Sequence, residues 1–588
     1  MPKDARMRLR IIVLLVLLFG ALFIGRLYNL QIVHSSEFVE EAKKQYIATV
    51  PNIYNRGTIY FKEKDGKLTT AATVNEGYVI SINPTVLPDD KEKVYLALSS
   101  VIPIDRETFM EKAGKTDDTY EEIATRIPED KTILIKDLDI PGLQAFREAW
   151  RYYPGGSLAA HVLGFVGYKD NILTGRYGLE SYYNDTLFRK GQNLYVNFFA
   201  ELFTNLSETV FDRSTEDEGN LVLTIEPTVQ GYLEKEIQGV MEKWNSDQTG
   251  GVIMDPKTGA IYAMAVSPAF DLNEYGKVKD QGYYANPVVQ DVREMGSIVK
   301  PLTMAAGLDA GVVTAGTTYN DTGSVTLNGR TFSNYDGRGR GPGTPMQRVL
   351  NDSLNTGAAF VVSKLGNERF ADYMENKFHL GDETGIDLPG ERQGLMSNMD
   401  STRDIEYATA SFGQGFAVTP INMSAALATL ANGGMTVTPH VADEIRYESG
   451  RVKKVTQNPQ EQVLKKESAD EITRMLVTVV DKALLGGTVA IPEYSIAAKT
   501  GTAQLARPRE LGGGYYDDRY LHTFFGYFPA YDPKFIIFMY TYQPKNGATF
   551  ASHTLTMPFI RLTKFLLNYY HIPPDRDLDA AKAVTLLR

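Results

Sequence analysis

The stretch REMGSIVKPLTMAAGLDAGVV, residues 293 to 313, decides how this chain is read. It becomes amphipathic and helical after Gly296, and Pro301 limits where the helix can begin, because proline is tolerated in a first turn but not in a helix interior. The helix is therefore predicted to start near Ser297. That serine then lies among unpaired backbone N–H groups at the positive end of the helix dipole, with Lys300 one turn on and on the same face. A serine hydroxyl needs a base before it can attack, and no Gly-x-Ser-x-Gly elbow occurs anywhere to point to a histidine-based one. Lysine can do this only when neutral, which requires burial or a neighbouring positive charge. Taken alone, the segment is equally well read as a capping serine followed by a solvated lysine.

Two later motifs bear on that choice. In NDSLNTGAAFVVSKLG, residues 351 to 366, a polar start precedes a helical apolar pattern, which places Ser353 and Asn355 at the start of a helix or in the loop before it. Ser353 is an N-cap on the plain reading. On the functional one it relays a proton between Lys300 and a leaving group, and the Asn355 amide grips a substrate carbonyl. In SIAAKTGTAQ, residues 495 to 504, Lys499 supplies the charge that lowers the proton affinity of Lys300. Lys499 with Thr500 and Thr502 can bind a carboxylate, and Gly501 lets a substrate backbone approach the strand. The Thr502 N–H pairs with that of Ser297 as an oxyanion hole. Literal copies of two motifs occur elsewhere. Lys257-Thr258-Gly259 falls in a Pro- and Gly-containing turn, and Ser81-Ile82-Asn83 runs into Pro84 as a strand end, so neither is assigned chemistry.

Composition narrows the field. The 588 residues are 43% hydrophobic and 23% charged, which is globular and leaves room for several domains. A balance of 61 basic against 72 acidic residues gives a formal charge of −11, with no basic patch interleaved with aromatics, so no nucleic-acid partner is expected. Absence of cysteine excludes a thiol nucleophile and Cys-ligated metal, and the seven histidines form no H-E-x-x-H pair; no cofactor or metal is expected.

Near the N-terminus, IIVLLVLLFGALFIG, residues 11 to 25, follows Lys3, Arg6, Arg8 and Arg10 and precedes Arg26. With Leu9 ahead of it and Arg10 and Arg26 snorkelling outward, the run reaches the roughly 20 residues a bilayer requires. The alternative, a cleaved signal peptide, lacks a clear small-x-small cleavage site. The anchor reading leaves a cytoplasmic tail at residues 1 to 8, a transmembrane helix with a juxtamembrane extension at 9 to 33, and the rest outside the cytoplasmic membrane.

Residues 34 to 219 mix helical stretches with strand-like runs, among them 78 to 82 and 132 to 135, and end in a polar, acidic connection at 201 to 220. Beyond it LVLTIEP reads as a strand and TVQGYLEKEIQGVMEKW as a helix. GGVIMD-PKTG-AIYAMA, residues 250 to 265, is a hairpin, and FAVTPINMSAALATLANGG, residues 416 to 434, holds a buried helix begun at Thr-Pro and stopped by Asn-Gly-Gly. Residues 522 to 542 carry two strands around a Pro/Asp turn. The fold class is therefore α/β. A largely antiparallel sheet sandwiched by helices spans 220 to 573, an elongated mixed α/β pedestal covers 34 to 219, and a tail runs from 574 to 588.

Ser297, Ser353 and Lys499 in this order resemble the penicilloyl-serine transferases. RGTIYF at 56 to 61, RYYPGGSLAAHVLGFVG at 151 to 167, GLE at 178 to 180, LTIEPTVQ at 223 to 230, FGQGFAVTPINMSAALATLANGG at 412 to 434 and IPP at 572 to 574 are similar to a class B penicillin-binding protein. Three positions depart from the family pattern: Met295 stands where proline is usual two residues before the nucleophile, Phe61-Lys-Glu-Lys-Asp-Gly66 replaces an Asp-Arg-Asn-Gly turn, and Glu226 replaces an aspartate. The resemblance implies a monofunctional D,D-transpeptidase with catalytic Ser297, Lys300, Ser353, Asn355 and Lys499. It also implies substrate contacts from Thr500, Gly501 and Thr502, acylation by β-lactams, and peptidoglycan stem peptides on lipid-linked precursor strands as substrates. The partners implied are a SEDS-type glycan polymerase and other division membrane proteins. A division role at the septum is favoured over lateral-wall elongation. A β-lactamase or carboxypeptidase, or an inactive β-lactam sensor or scaffold, remain as competing readings.

Overall fold

Strands Gln248–Met254 and Ile261–Ser267 form the hairpin predicted from the two apolar runs, and they make one edge of a five-stranded sheet. In a computed structural model describing residues 19–20, 56–115, 117–169, 172–189, 218–455 and 458–577, the sheet order is Ala497–Ala506, Tyr515–Phe528, Phe535–Tyr542, Gln248–Met254, Ile261–Ser267. Every neighbouring pair is antiparallel. Successive residues of Phe535–Tyr542 enter opposite cores: Phe535, Ile537 and Met539 pack on one face, Ile536, Phe538 and Tyr540 on the other. This two-residue alternation is why a continuous apolar run serves a sheet covered on both sides.

One face is covered by helices Pro227–Trp244 and Thr556–Tyr569, through Val229, Leu233, Phe559 and Leu566. Glu226 is the N-cap of the first, its carboxylate accepting from Val229 N at 2.7 Å and from Tyr569 OH at 2.8 Å. The departure from aspartate thus keeps the capping function and adds a tie to the second helix. The other face packs against Lys300–Asp309, Pro420–Ala431 and Lys466–Thr478. Pro420–Ala431 starts behind the Thr419 cap, as its Thr-Pro signal predicts.

A second, seven-stranded sheet joins Ile59–Lys62, Leu68–Ile82, Glu121–Ile127 and Leu143–Tyr152 to Gly219–Leu223, Ala442–Tyr447 and Val452–Lys454. Gly219–Leu223, which overlaps the predicted LVLTIEP strand at residues 221 to 223 but begins two residues before it, runs parallel to Ile59–Lys62 and antiparallel to Ala442–Tyr447, so this sheet draws on both sides of residue 219. Three sequence stretches, residues 56 to 61, 151 to 167 and 178 to 180, converge beside it. Glu180, fully buried, accepts from Arg56 Nε and Arg151 Nε at 2.6 Å each, and Tyr153 OH donates to it at 3.3 Å.

The two sequence copies set aside are structural. Lys257 to Gly259 form the hairpin turn, with Gly259 at φ +80°, where a Cβ would stand 2.1 Å from Thr438 O. Ser81 is buried in the Leu68–Ile82 strand. The strand expected at residues 132 to 135 is instead part of the helix Glu129–Lys136. Pro128 leads into it, Glu129 and Asp130 occupy its first turn and Lys136 its last. Thr132 and Ile135, three apart, are buried while Ile133 and Leu134 are exposed, a one-sided helical pattern that the apolar run concealed. Among the described residues no helix is long and apolar enough to cross a membrane. The anchor expected at 9 to 33 lies outside them apart from the helical pair Phe19 and Gly20, as do the terminal tail beyond 577 and residues 201 to 217 of the connection.

Candidate active site

Ser297 stands in a 3₁₀ turn, Gly296–Val299, and the α-helix proper begins at Lys300. Pro301 explains the tighter turn. Having no N–H, it cannot donate to the Ser297 carbonyl as an α-helix would require, and Lys300 N–H donates there instead. In a 3₁₀ turn residues i and i+3 eclipse, so Ser297 and Lys300 share a face more closely than α-helical spacing predicts. Gly296 has φ +64°, and a Cβ on it would lie 2.9 Å from Thr502 O. Its N–H donates to Gly413 O at 3.0 Å. The Ser297 turn is thereby wedged between Gly413 and the Ala497–Ala506 strand, and only glycine fits there.

Lys300 is 1% exposed, which removes the solvated-lysine reading. Its Nζ donates to Ser353 O at 2.5 Å and Ser353 Oγ at 3.1 Å. Lys499 Nζ, equally enclosed, donates to the same Oγ at 3.0 Å and to Thr500 O at 2.9 Å. Burial, with the Lys499 charge added to it, holds the Lys300 ammonium well below the ordinary lysine range. Burial alone brings Lys499 down to about 7. Ser353 is not an N-cap: it sits between helices Met346–Asn351 and Asn355–Leu365 at φ +53°, a left-handed conformation uncommon for a side-chain-bearing residue. That backbone twist turns both its carbonyl and its hydroxyl to the lysines. Asn355 opens the second helix, and its amide nitrogen donates to Ser333 O at 2.7 Å.

Ser297, Ser353, Asn355, Lys499, Thr500 and Thr502 all line one cleft of about 1230 Å³. Along its wall the Ala497–Ala506 strand is an edge strand, and its Thr502 carbonyl lies against Gly296 of the Ser297 turn. Gly501 does not line the cleft. A Cβ there would meet Thr523 Oγ1 at 2.3 Å, Met295 O at 2.9 Å and Ile298 Cγ2 at 3.1 Å. Glycine at 501 thus leaves room for Met295 and Ile298 of the Ser297 turn to lie against the strand. Thr502 Oγ1 accepts from Ala551 N at 3.1 Å, tying that wall to the next segment.

Sequence reasoning missed the carboxyl of Glu294, three residues before Ser297. Its Oε1 accepts from Gly415 N at 2.9 Å and from Tyr515 OH at 3.1 Å, and burial pushes the group up to about 6. This joins the segment leading into the Ser297 turn to the Gly- and Tyr-rich stretch at 512 to 516. The cleft rim was also not legible: Tyr335 and Phe550 meet edge-on with ring centres 5.7 Å apart, brought together from segments over 200 residues apart in sequence.

The profile of the penicillin binding protein transpeptidase domain matches residues 249–560, and that of the penicillin-binding protein dimerisation domain matches residues 53–197. Stage V sporulation protein D of Bacillus subtilis strain 168 is 30% identical over 568 residues, covering 93% of this chain and 84% of that protein. Peptidoglycan D,D-transpeptidase FtsI of Escherichia coli strain K12 is 26% identical over 569 residues, 95% of this chain and 91% of that one. Penicillin binding protein 3 of Mycobacterium tuberculosis, solved in complex with aztreonam, shares the fold with a TM-score of 0.67 at 24% identity, over 90% of this chain and 98% of that one.

Proposed function

The chain belongs to the class B penicillin-binding proteins, α/β chains with dimerisation and transpeptidase domains, and is a serine D,D-transpeptidase; from this premise we propose that Ser297 carries the acyl group in peptidoglycan cross-linking. The observation that supports it is that the buried pair Lys300 and Lys499 meets on one Ser353 hydroxyl, and that Ser353 and Lys499 line the same cleft as Ser297. Neutral Lys300 takes the Ser297 proton as Oγ attacks the penultimate D-alanine carbonyl of a donor stem. The N–H groups of Ser297 and Thr502 stabilise the oxyanion, while Lys499, Thr500 and Thr502 hold the terminal carboxylate and Asn355 the stem amide. Gly501 keeps the turn and the strand in register. As the C–N bond breaks, the proton returns through Ser353 to the departing D-alanine amine. An acceptor-stem amine then attacks the ester, Lys300 takes its proton and passes it to Ser297 Oγ as the ester C–O bond breaks, and the free serine is regenerated. β-Lactams open on the same serine and leave a long-lived ester.

The run of residues 11 to 25 with its flanking arginines serves as a single-pass anchor that keeps the N-terminus cytoplasmic and the cleft outside. Glycan polymerisation falls to a SEDS-type partner in the same membrane, and the resemblance in residues 151 to 167 favours septal work. Incubating purified enzyme with a pentapeptide stem and an amine acceptor tests the reaction. Cross-linked product with one D-alanine released per bond, absent in Ser297→Ala, is expected; hydrolysis without transfer would instead make the protein a carboxypeptidase.

A further inference from the structure

The hydrogen bond from Asn355 to Ser333 O is held at both ends by one buried carboxylate outside every recognised motif. Asp321, 1% exposed, ends the Thr318–Asp321 strand. Its Oδ1 accepts from Thr356 Oγ1 at 2.7 Å and from Gly323 N at 3.0 Å. Asn334 Nδ2 lies 3.1 Å from each of its oxygens, and Arg340 N donates to Oδ2 at 2.9 Å. Thr356 directly follows Asn355, and Asn334 directly follows Ser333. The two are also joined to each other, Thr356 N donating to Asn334 Oδ1 at 3.2 Å. A third arm runs through Arg340, whose Nε reaches Asp352 at 3.2 Å, one residue before Ser353.

An ionised carboxylate accepts only, which suits a site ringed by donors from Thr356, Gly323, Asn334 and Arg340. Burial raises its proton affinity, but those donors outweigh it and keep the carboxyl below its ordinary value. Replacing it by an amide would turn one acceptor into a donor among donors, and a buried unsatisfied group of that kind disturbs its neighbours.

We propose that Asp321 is a positioning residue for acyl transfer: it fixes the Ser333 carbonyl and the Asn355–Thr356 backbone together, and so sets the angle at which the Asn355 amide meets the stem peptide. This rests on the reading of Asn355 as a substrate contact. Misplacing such a group by about 1 Å can cost roughly a hundredfold in rate. The loss should run through Asn355, so it should not add to the loss of Asn355 itself.

The test is a cycle on the purified full-length chain, reading the rate of acylation by a fluorescent penicillin at saturation and its apparent dissociation constant separately. Asp321→Asn and Asn355→Ala are each expected to lower the saturating rate about a hundredfold. The double variant should be no slower than Asn355→Ala. Multiplying losses in the double variant, or an Asp321→Asn rate within about twofold of wild type, overturns the proposal. Should Asp321→Asn show no cooperative melting, Thr356→Val, which deletes only the hydroxyl arm, replaces it in the same cycle under the same criterion. Ser297→Ala run alongside separates the underlying reading. Label retained there overturns the nucleophile assignment, whereas label lost there with multiplying losses elsewhere overturns the positioning role alone.

Discussion

Lys300 and Lys499 donate to the same oxygen, their Nζ atoms lying 3.1 and 3.0 Å from Ser353 Oγ. Two ammonium groups so placed cannot both be protonated cheaply in a buried site, which suits the proposed division of roles, Lys300 as base and Lys499 as cation.

The pH dependence follows with a definite sign. Base action by Lys300 needs its neutral form and is gained as pH rises through a value held well below the lysine range by burial and by Lys499. Carboxylate binding by Lys499 needs the cation and is lost as pH rises through about 7. Acylation of the free enzyme by penicillin should therefore be bell-shaped in pH, with limbs that belong to the coupled pair. Lys499→Arg, charged throughout, should remove the alkaline limb, and Lys300→Ala should lower the rate on the order of a hundredfold or more. A profile still rising at pH 9 in the wild type would contradict this division.

Gly501→Ala should injure the nucleophile, not the substrate groove. Its Cβ would collide with Thr523 Oγ1 and Met295 O and push the Ser297 turn off the strand. The saturating acylation rate is predicted to fall about a hundredfold. The apparent dissociation constant for penicillin should change far less. The opposite pattern would restore a substrate-facing role for this glycine.

Arg151→Ala leaves Glu180 buried with only Arg56 as a charged partner in its node. Removing one member of a buried ion pair costs about 3–5 kcal/mol, so the urea midpoint should drop accordingly. Acylation in the folded fraction should stay near wild type. A midpoint unchanged within error would show that the node contributes little.

Tyr515→Phe removes one donor from Glu294. Because the folded pKa of Glu294 is raised to about 6, the carboxylate that uses this bond is present above that pH and lost below it. A bond to a charged group contributes roughly 1.5–3 kcal/mol. The melting temperature gap between wild type and variant should therefore be wider at pH 8 than at pH 5, and an equal gap at both would sever the link.

Much of the sheet and the motif residues could be read before the structure, because Pro301, the Thr-Pro cap at residue 419 and the two-residue apolar alternation are local signals with local causes. What could not be read is non-local or conformational. Asp321 gives only an Asp-x-Gly turn in sequence; its other partners lie 13 to 35 positions away. The left-handed backbone at Ser353 decides that its hydroxyl serves lysines and does not cap a helix, and serine identity alone carries no sign of it. The close approach of Thr523 and Met295 to Gly501 was not legible either, since strand parity does not reveal which neighbour needs the space. The helix Glu129–Lys136 was hidden by four consecutive residues of strand-like character.

Whether Ser297 accepts the acyl group can be read by intact-protein mass spectrometry with peptide mapping after benzylpenicillin treatment. A single stable adduct of one penicilloyl group on the peptide containing Ser297, absent from Ser297→Ala, is predicted. An adduct that persists in Ser297→Ala, or that maps to another residue in the wild type, would show that Ser297 is not the acyl acceptor.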